Sequence, residues 1–248
     1  MAATFLLDHV VLLVRNLFQA SWDFGALGFN VLYGGEHPGQ GTHNALIPFR
    51  DGSYIELIAA LDSAGKPASA LERVQRWPRR GEGLIDFALA PDDLRAAIAG
   101  ASSRSLEVAG PVPGGRVRPD GVPLSWELGL TDGFDLPFLC ADITPRSLRV
   151  PGGLATEHSN GALGILAVRV RVPDLDAATR RYSALLGFAP GPAGNDFTLG
   201  SAHIALEPSY APNGDSGPIS VALSAQPGSS AGPLSFELAH GAAIELDV

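Results

Sequence analysis

The 248-residue chain has a single cysteine, Cys140, and few charged or aromatic residues, 17% and 7% of the total. One thiol cannot form an intramolecular disulfide or a zinc site built from several cysteines. No apolar run approaches the roughly 20 residues that span a bilayer. The first residues, Met1–Phe5, also lack the basic segment of a signal peptide. We therefore expect a soluble, cytoplasmic protein that does not associate with a membrane.

Basic residues are also scarce: 17 lysines and arginines stand against 26 aspartates and glutamates, for a net charge of −9 and a pI near 5.0. Binding to nucleic acid depends on a basic surface that neutralises phosphates. This charge balance therefore argues against nucleic acid as a partner. The chain has no phosphate-binding loop, dinucleotide fingerprint or serine-nucleophile motif either. We expect the partner to be a small molecule.

Glycine and proline are abundant, with 30 and 20 residues, which favours short strands joined by tight turns. The predicted elements follow the order β-α-β-β-β in residues 1–60 and again in 83–142, with a helix predicted over 63–80 between them. A third copy begins at residue 163, where Val170–Leu175 parallels Leu12–Leu17. We predict an α+β fold made of repeated βαβββ modules.

The predicted domain organisation follows from these repeats. Residues 1–147 form a first domain of two modules, and the Pro-, Gly- and Ser-rich residues 148–162 are a crossover linker. Residues 163–248 hold degenerate third and fourth modules, to which we assign a structural role.

Two strands of the first module each contain one polar side chain in an apolar run: His9 in Leu6–Val14 and Glu56 in Gly52–Ala59. Burying an imidazole or a carboxylate costs several kcal/mol unless a partner compensates it. A metal ion would be such a partner, and so would a hydrogen bond between the two residues. Both alternatives remain open at the level of the sequence.

Between these strands lies a glycine-rich segment, residues 34–44, that carries two more histidines. We assign His37 to the structure of the loop. His43 and Asn44 stand where the loop enters a strand, and we predict that both face a cavity as an acid–base group and an orienting amide. Their alternative role is to satisfy the backbone of the loop.

Several stretches together resemble the vicinal oxygen chelate superfamily and, within it, the glyoxalase-like domain proteins: Leu7–Val11, His37–Leu46, Tyr54–Leu57, Arg118–Gly121 with Trp126, and His158–Ala162. The resemblance implies cupped mixed sheets like those of glyoxalase, bleomycin-resistance and dioxygenase proteins. It also implies a divalent metal at the centre of two paired modules, with ligands from the first and last strand of each module.

For the metal, the resemblance implies His9 and Glu56 as the ligands from module one. In module two the first-strand position falls near Asp86, and the last-strand position near Cys140 or Asp142, because the register there is open. The equivalent positions of module three, Ala167 and Ile204, cannot bind a metal. Imidazole and carboxylate ligands suit Zn, Ni, Mn or Fe without distinguishing them, and a site without metal remains an alternative.

For the substrate, we predict that Arg118 binds a carboxylate or enolate and that Trp126 forms an apolar wall. A surface turn is the alternative for Arg118. His158 and Asn160 lie in the crossover, which either covers the cavity as a lid or is a solvated linker.

The function that the resemblance implies is a metal-dependent lyase or isomerase, in which the metal chelates adjacent oxygens of a small substrate and stabilises an enediolate. Glu56 or His43 would transfer the proton. The alternatives are a metal-free protein that binds or sequesters a small molecule, and an extradiol-type dioxygenase. A monomer and a homodimer are both compatible with the sequence.

Overall fold

The computed structural model describes residues 3–61, 72–76, 81–209 and 216–248, apart from the side chains of residues 72 and 74. Strands dominate, and they form two sheets: a closed eight-stranded barrel and a six-stranded sheet packed beside it. Within the described residues, no helix has the length and apolar character that a membrane crossing requires.

The barrel contains the first two modules. Its strands are β1 (Phe5–Leu13), β2 (Leu32–His37), β3 (Thr42–Pro48), β4 (Tyr54–Ala60), β5 (Gly83–Pro91), β6 (Val108–Val117), β7 (Pro123–Thr131) and β8 (Phe138–Asp142). They close in the order β1-β4-β3-β2-β6-β7-β8-β5. The helices are α1 (Leu17–Ala26), α2 (Glu72–Arg76) and α3 (Leu94–Ser103). The predicted βαβββ order is therefore present in both modules.

The second sheet contains the C-terminal modules, with α4 (Arg146–Arg149) and a 3-10 helix (Gly153–Thr156) in the segment before it. Its elements are β9 (Ala162–Val172), α5 (Leu175–Leu186), β10 (Asp196–Leu199), β11 (Ala202–Pro208), β12 (Gly217–Ala225), β13 (Gly232–Pro233) and β14 (Ala243–Asp247). Their spatial order is β10-β11-β9-β12-β14-β13. The fourth module is reduced: Gly232–Pro233 pair with β14, and residues 236–240 form a turn.

The two modules of the barrel pair in the same way. The first strand of each pairs in parallel with its last, β1 with β4 and β5 with β8, and β1 and β5 pair antiparallel across the module boundary. The C-terminal sheet repeats this plan, since β9 pairs in parallel with β11 and antiparallel with β12. In it, Ala167 lies opposite His203. The equivalent of Glu56 is therefore Ala205 and not Ile204 as predicted, but alanine cannot bind a metal either.

Alternation along the strands separates two cores. On β4, Ile55, Leu57 and Ala59 face outward into the main core, which α1, α3, α5 and the second sheet complete. Tyr54, Glu56 and Ile58 face the inside of the barrel. The fold therefore presents one face of every barrel strand to an enclosed interior, and a small change of register decides which side chains enter it.

Two predicted segments differ in the structure. The glycine-rich residues 34–37 belong to β2, which pairs with β3 from Leu32↔Leu46 to His37↔Thr42, so only Pro38–Gly41 form the turn. The helix predicted over 63–80 falls largely on residues 62–71 and 77–80, which lie outside the described residues. Glu72–Arg76 are helical.

The crossover is bonded to the barrel. His158 is buried between the rings of Phe29 and Phe49, its Nδ1 accepts from the Asn30 amide at 3.0 Å, and its Nε2 lies 2.9 Å from the Pro48 carbonyl oxygen. Asn160 bonds the Leu27 carbonyl at 2.9 Å. Neither residue lines the barrel interior, so the structure does not place them in a lid.

Burial lowers the pKa of His158 below the ordinary histidine value. The unfolding free energy of the protein should therefore depend on pH. The unfolded chain binds this proton before the folded one does, so the contribution to stability is complete above about pH 6.5 and falls on acidification. We expect His158→Ala to lower the unfolding free energy at pH 7.5 and to flatten its decline toward pH 5 in urea titrations. His203→Ala, at an exposed site, is the control. An unchanged acid slope in the His158 variant would contradict this assignment.

Candidate functional site

The interior of the barrel holds a cavity of about 70 Å³, room for about five water molecules. It has a polar wall and an apolar wall. The polar side chains that line it are His9, His37, Gln40, Asn44, Tyr54, Glu56, Arg73, Arg116 and Arg149. The apolar ones include Ile58, Trp126, Leu128, Leu130 and Phe138. The cavity suits a compound of a few non-hydrogen atoms.

A bulge in β1 turns His9 into the cavity. The pairing with β5 shifts between Leu7 and His9, so that Leu7 stays in the outer core while His9 faces inward opposite Ala88. The extra residue at this bulge is Asp8, whose carboxylate lies 2.7 Å from His9 Nδ1. Because Asp8 accepts the Nδ1 proton, the ring orientation is fixed and Nε2 points toward Glu56, at 3.6 Å from Oε2.

Two arginines from α4 hold Asp8 in its ionised state. Arg149 reaches it with both terminal nitrogens at 3.0 and 3.2 Å, and Arg146 lies at 2.5 Å. Burial alone would raise the pKa of Asp8, but the arginines and the bond to His9 outweigh it and hold the pKa well below its usual range. Arg149 is only 2% exposed and also binds Asp142 and the Tyr54 hydroxyl.

The carboxylate of Glu56 is at the centre of the polar wall. Asn44 donates to its Oε1 at 2.6 Å, His37 Nε2 lies 3.8 Å from the same oxygen, and His9 Nε2 lies 3.6 Å from Oε2. His37 in turn contacts Thr42 through Nδ1 at 3.0 Å. Burial lowers the pKa of His37, since desolvation disfavours the imidazolium. The wall thus presents one carboxylate flanked by two imidazoles.

Gly34 makes room for Asn44. A Cβ at residue 34 would lie 2.2 Å from Asn44 Oδ1 and 3.1 Å from Arg116 Nη1. The absence of a side chain at Gly34 therefore leaves space for the side chains of Asn44 and Arg116 to pack against its backbone. Asn44 Oδ1 itself is buried without a hydrogen-bond partner.

His43 does not enter the cavity. Adjacent residues of a strand point to opposite faces, and Asn44 occupies the inner face of β3, so His43 is on the outer side, half-exposed, with its ring beside Tyr33. The prediction that both residues face inward conflicts with this alternation. The proton-transfer role predicted for His43 consequently has no support from its position, whereas His37, predicted to be part of the loop, lies next to Glu56.

Module two offers no matching ligands. His9 lies opposite Tyr54 in the pairing of β1 with β4, and in the pairing of β5 with β8 the same place is taken by Ala88, opposite Phe138. The predicted first-strand ligand, Asp86, is not among the residues that line the cavity. Arg73 binds its two carboxylate oxygens, each at 2.6 Å.

The pairing of β5 with β8 also determines which residue occupies the last-strand ligand position of module two. The equivalent of Glu56, two residues beyond Tyr54, is Cys140, two residues beyond Phe138. Burial raises the pKa of the Cys140 thiol to about 12, which disfavours the thiolate that a metal requires. The other candidate, Asp142, is bonded to Arg149 at 2.5 Å and Arg146 at 3.2 Å.

The donors therefore do not fit the metal centre that the resemblance implies. Of its four positions, only those of His9 and Glu56 carry ready ligands. His37 does not complete the set, because the two imidazoles approach different oxygens of Glu56. Among the residues that the structure describes, no three His, Cys, Asp or Glu side chains gather around one point.

Of the predicted substrate residues, Trp126 lines the cavity, with its ring edge-on to His37 at 6.2 Å between centroids. Arg118 does not: it pairs with Asp120 at 2.9 Å in the turn after β6, as the alternative for this residue anticipated. Two residues earlier, Arg116 does enter the cavity. Strand alternation would place both arginines on the same face, but β6 ends at Val117, so Arg118 lies in the following turn and outside the cavity.

Comparisons with known proteins agree with this architecture. A family model described as a glyoxalase-like domain matches residues 7–203. A hypothetical protein from Staphylococcus aureus is 17% identical and superposes over 98% of this chain and 99% of its own, with a TM-score of 0.79. A 4-hydroxymandelate synthase variant from Streptomyces coelicolor is 16% identical over 91% of this chain and 72% of its own, with a TM-score of 0.60.

A fusion protein of a xylose isomerase-like TIM barrel and a 4-hydroxyphenylpyruvate dioxygenase matches over 91% of this chain and 37% of its own, at 16% identity and a TM-score of 0.55. At such identities these likenesses establish the fold, and they confirm the predicted cupped βαβββ architecture. A search among curated proteins finds no match.

The contacts of buried Asp8 with His9, Arg146 and Arg149 predict a large loss of stability when Asp8 is substituted. We expect Asp8→Asn to destabilise the protein by about 3–5 kcal/mol, because it leaves the buried Arg149 short of a counter-charge. Asp120→Asn, which breaks the surface pair with Arg118, should cost less than about 1 kcal/mol. Urea unfolding measures both. Equal losses in the two variants would show that the buried cluster has no special role.

Proposed function

The chain belongs to the glyoxalase-like domain family, and we propose that its barrel cavity is the active site of a lyase or isomerase that transfers a proton on a small substrate with adjacent oxygens. The observation that carries this proposal is Glu56: a buried carboxylate that faces the cavity between two imidazole nitrogens. Proton transfer by a positioned carboxylate or imidazole is worth about 10²–10⁴-fold in rate.

The chemistry follows from the position of each group. Glu56 takes the proton from a carbon that carries a hydroxyl next to a carbonyl, which leaves an enediolate. Glu56 then returns the proton to the neighbouring carbon, and an imidazole moves the hydroxyl proton between the two oxygens. Reprotonation of the other carbon exchanges the carbonyl and the alcohol. No atom other than the proton leaves or enters.

Asn44 and Asp8 serve this chemistry as positioning residues. Asn44 fixes one oxygen of Glu56 through its 2.6 Å hydrogen bond, so the other oxygen is the one directed toward His9. Asp8 fixes the Nδ1 proton of His9 and so leaves Nε2 to face Glu56 and the cavity. The apolar wall, with Trp126 and Phe138, limits the access of water, which strengthens these electrostatic interactions.

A divalent metal is not assigned a step, since the donors of the cavity diverge. We expect Zn²⁺, Ni²⁺, Mn²⁺ and Fe²⁺ to produce no saturable rise in Tm, and purified protein to carry no stoichiometric metal by elemental analysis. The control is His9→Ala, which removes one of the two matching ligands. A rise in Tm that wild type shows and His9→Ala loses would restore the metal-dependent mechanism, and iron as the bound metal would favour a dioxygenase.

The proton transfer is tested with two probes, hydroxypyruvate and dihydroxyacetone, each of which has a hydroxyl-bearing carbon beside a carbonyl. We expect wild type to accelerate exchange of these C–H protons in D₂O, followed by proton NMR. Glu56→Gln, which keeps the shape and removes the base, should lower this exchange by about 100-fold or more.

His43→Gln is the matched control, because His43 lies on the outer face of the barrel, and we expect it to leave exchange unchanged. Equal exchange by wild type and Glu56→Gln would refute the assignment of Glu56. Binding of the probes without any exchange would favour instead a protein that sequesters small molecules, for which the apolar wall would be the main binding surface.

A further inference from the structure

Among the residues that the structure describes, three arginines line the cavity, and two of them have counter-charges. Arg73 is bonded to Asp86, and Arg149 to Asp8 and Asp142. Arg116 is different. Its side chain is 3% exposed, and within the described residues it has no carboxylate within 4.0 Å. In the part of the chain that the structure describes, Arg116 makes one hydrogen bond, from Nη2 to the Arg149 carbonyl at 2.8 Å, and its Nε is buried without a partner.

A buried cation with an unused donor is costly, because desolvation disfavours the charge and nothing nearby offsets it in full. Burial accordingly lowers the pKa of Arg116, with Glu56 near enough to oppose this effect but not in contact. Arg116 lines the cavity with Nε unpaired, and a planar guanidinium with a free donor is suited to a carboxylate, which can accept two parallel hydrogen bonds.

A second unsatisfied atom lies beside the first. Asn44 Oδ1 is buried without a partner, and both Asn44 and Arg116 pack against the bare backbone of Gly34. The Asn44 amide nitrogen is committed to Glu56, so the free atom is an acceptor. It lacks a donor, such as a hydroxyl hydrogen. The cavity thus offers a positive donor and a neutral acceptor side by side, next to the base.

We propose that Arg116 binds the carboxylate of a small hydroxy acid, while Asn44 Oδ1 accepts a hydrogen bond from the hydroxyl. This inference rests on the proposed function and narrows its substrates to acids with an oxygen on the carbon next to the carboxylate. The volume of the cavity matches compounds of about five to seven non-hydrogen atoms. The sequence predicts Arg118 for this role, but the arginine that lines the cavity is Arg116.

The test measures binding, so it does not depend on turnover. Lactate is compared with lactamide, its uncharged counterpart of the same size, by titration calorimetry on wild type, Arg116→Gln, Arg116→Lys and Arg118→Gln. We expect lactate to bind wild type at least about tenfold more tightly than lactamide. Arg116→Gln should abolish this preference, Arg116→Lys should keep part of it, and Arg118→Gln should behave as wild type.

The stability of the ligand-free variants distinguishes a binding role from a structural one. If Arg116 serves a ligand, Arg116→Gln removes an unpaired buried charge and should melt no lower than wild type. A lower Tm together with an unchanged preference for lactate would overturn the proposal, as would equal binding of lactate and lactamide by wild type, or no binding of either.

The two proposals fail separately. Glu56→Gln keeps Arg116, so it should still prefer lactate even though proton exchange is lost. Preference for lactate without exchange in wild type would refute the proton-transfer function and leave the carboxylate site standing. Exchange that is equally fast for hydroxypyruvate and dihydroxyacetone, and insensitive to Arg116→Gln, would refute the carboxylate site and leave the function standing.

Discussion

The buried ion pair between Arg149 and Asp8 is the interaction on which the site depends. It joins a residue of the crossover to the bulge of the first strand, across 141 positions of sequence. Because Arg149 and Arg146 keep Asp8 ionised, Asp8 can hold the His9 ring by its Nδ1 proton. The segment that separates the two halves of the chain therefore also determines the orientation of a side chain inside the barrel.

Such a pair is expensive to bury, and the arrangement shows how the cost is limited. Arg149 donates to Asp8, to Asp142 and to the Tyr54 hydroxyl, so its guanidinium is almost fully hydrogen-bonded. Breaking the set would leave an uncompensated charge in the wall, which costs far more than the pair contributes when intact. The cluster is thus better understood as a constraint on geometry than as a source of net stability.

Sequence alone predicted the fold and three of the nine polar side chains that line the cavity, His9, Asn44 and Glu56. His9 and Glu56 interrupt apolar strands, and such interruptions are visible without any knowledge of tertiary structure. The contribution of Arg149 was not visible, because it arises from a contact between distant residues in a segment with the composition of a linker. His37 was missed since its glycine-rich surroundings suggested a loop, whereas Gly34 and Gly35 lie in β2.

The register of the strands and the alternation of their side chains account for the remaining wrong predictions, those for Asp86 and His43. In the pairing of β1 with β5, Ala88 lies opposite His9 and Asp86 lies opposite Val11, so the first-strand position of module two is two residues beyond the predicted one. A difference of a single residue along a strand moves a side chain to the other face, and the bulge at Asp8 is such a shift, since it turns His9 into the cavity. The same effect separates Asn44 from His43. These are the places where one sequence, without pairing information, cannot determine which of two neighbouring residues enters the cavity.

The charges that remain unpaired define what the cavity can do. Evolution toward stability alone would favour an apolar residue or a partnered one at position 116, since an arginine without a counter-ion is unfavourable in a desolvated interior. Glu56 and Arg116 lie in the same cavity without forming an ion pair, which keeps the carboxylate available as a base and the guanidinium available to an anion. With Ala88 and Cys140 in place of a second polar pair, the opposite module contributes an apolar wall. Module one thus carries the carboxylate and the imidazoles, while module two encloses them and contributes Arg116.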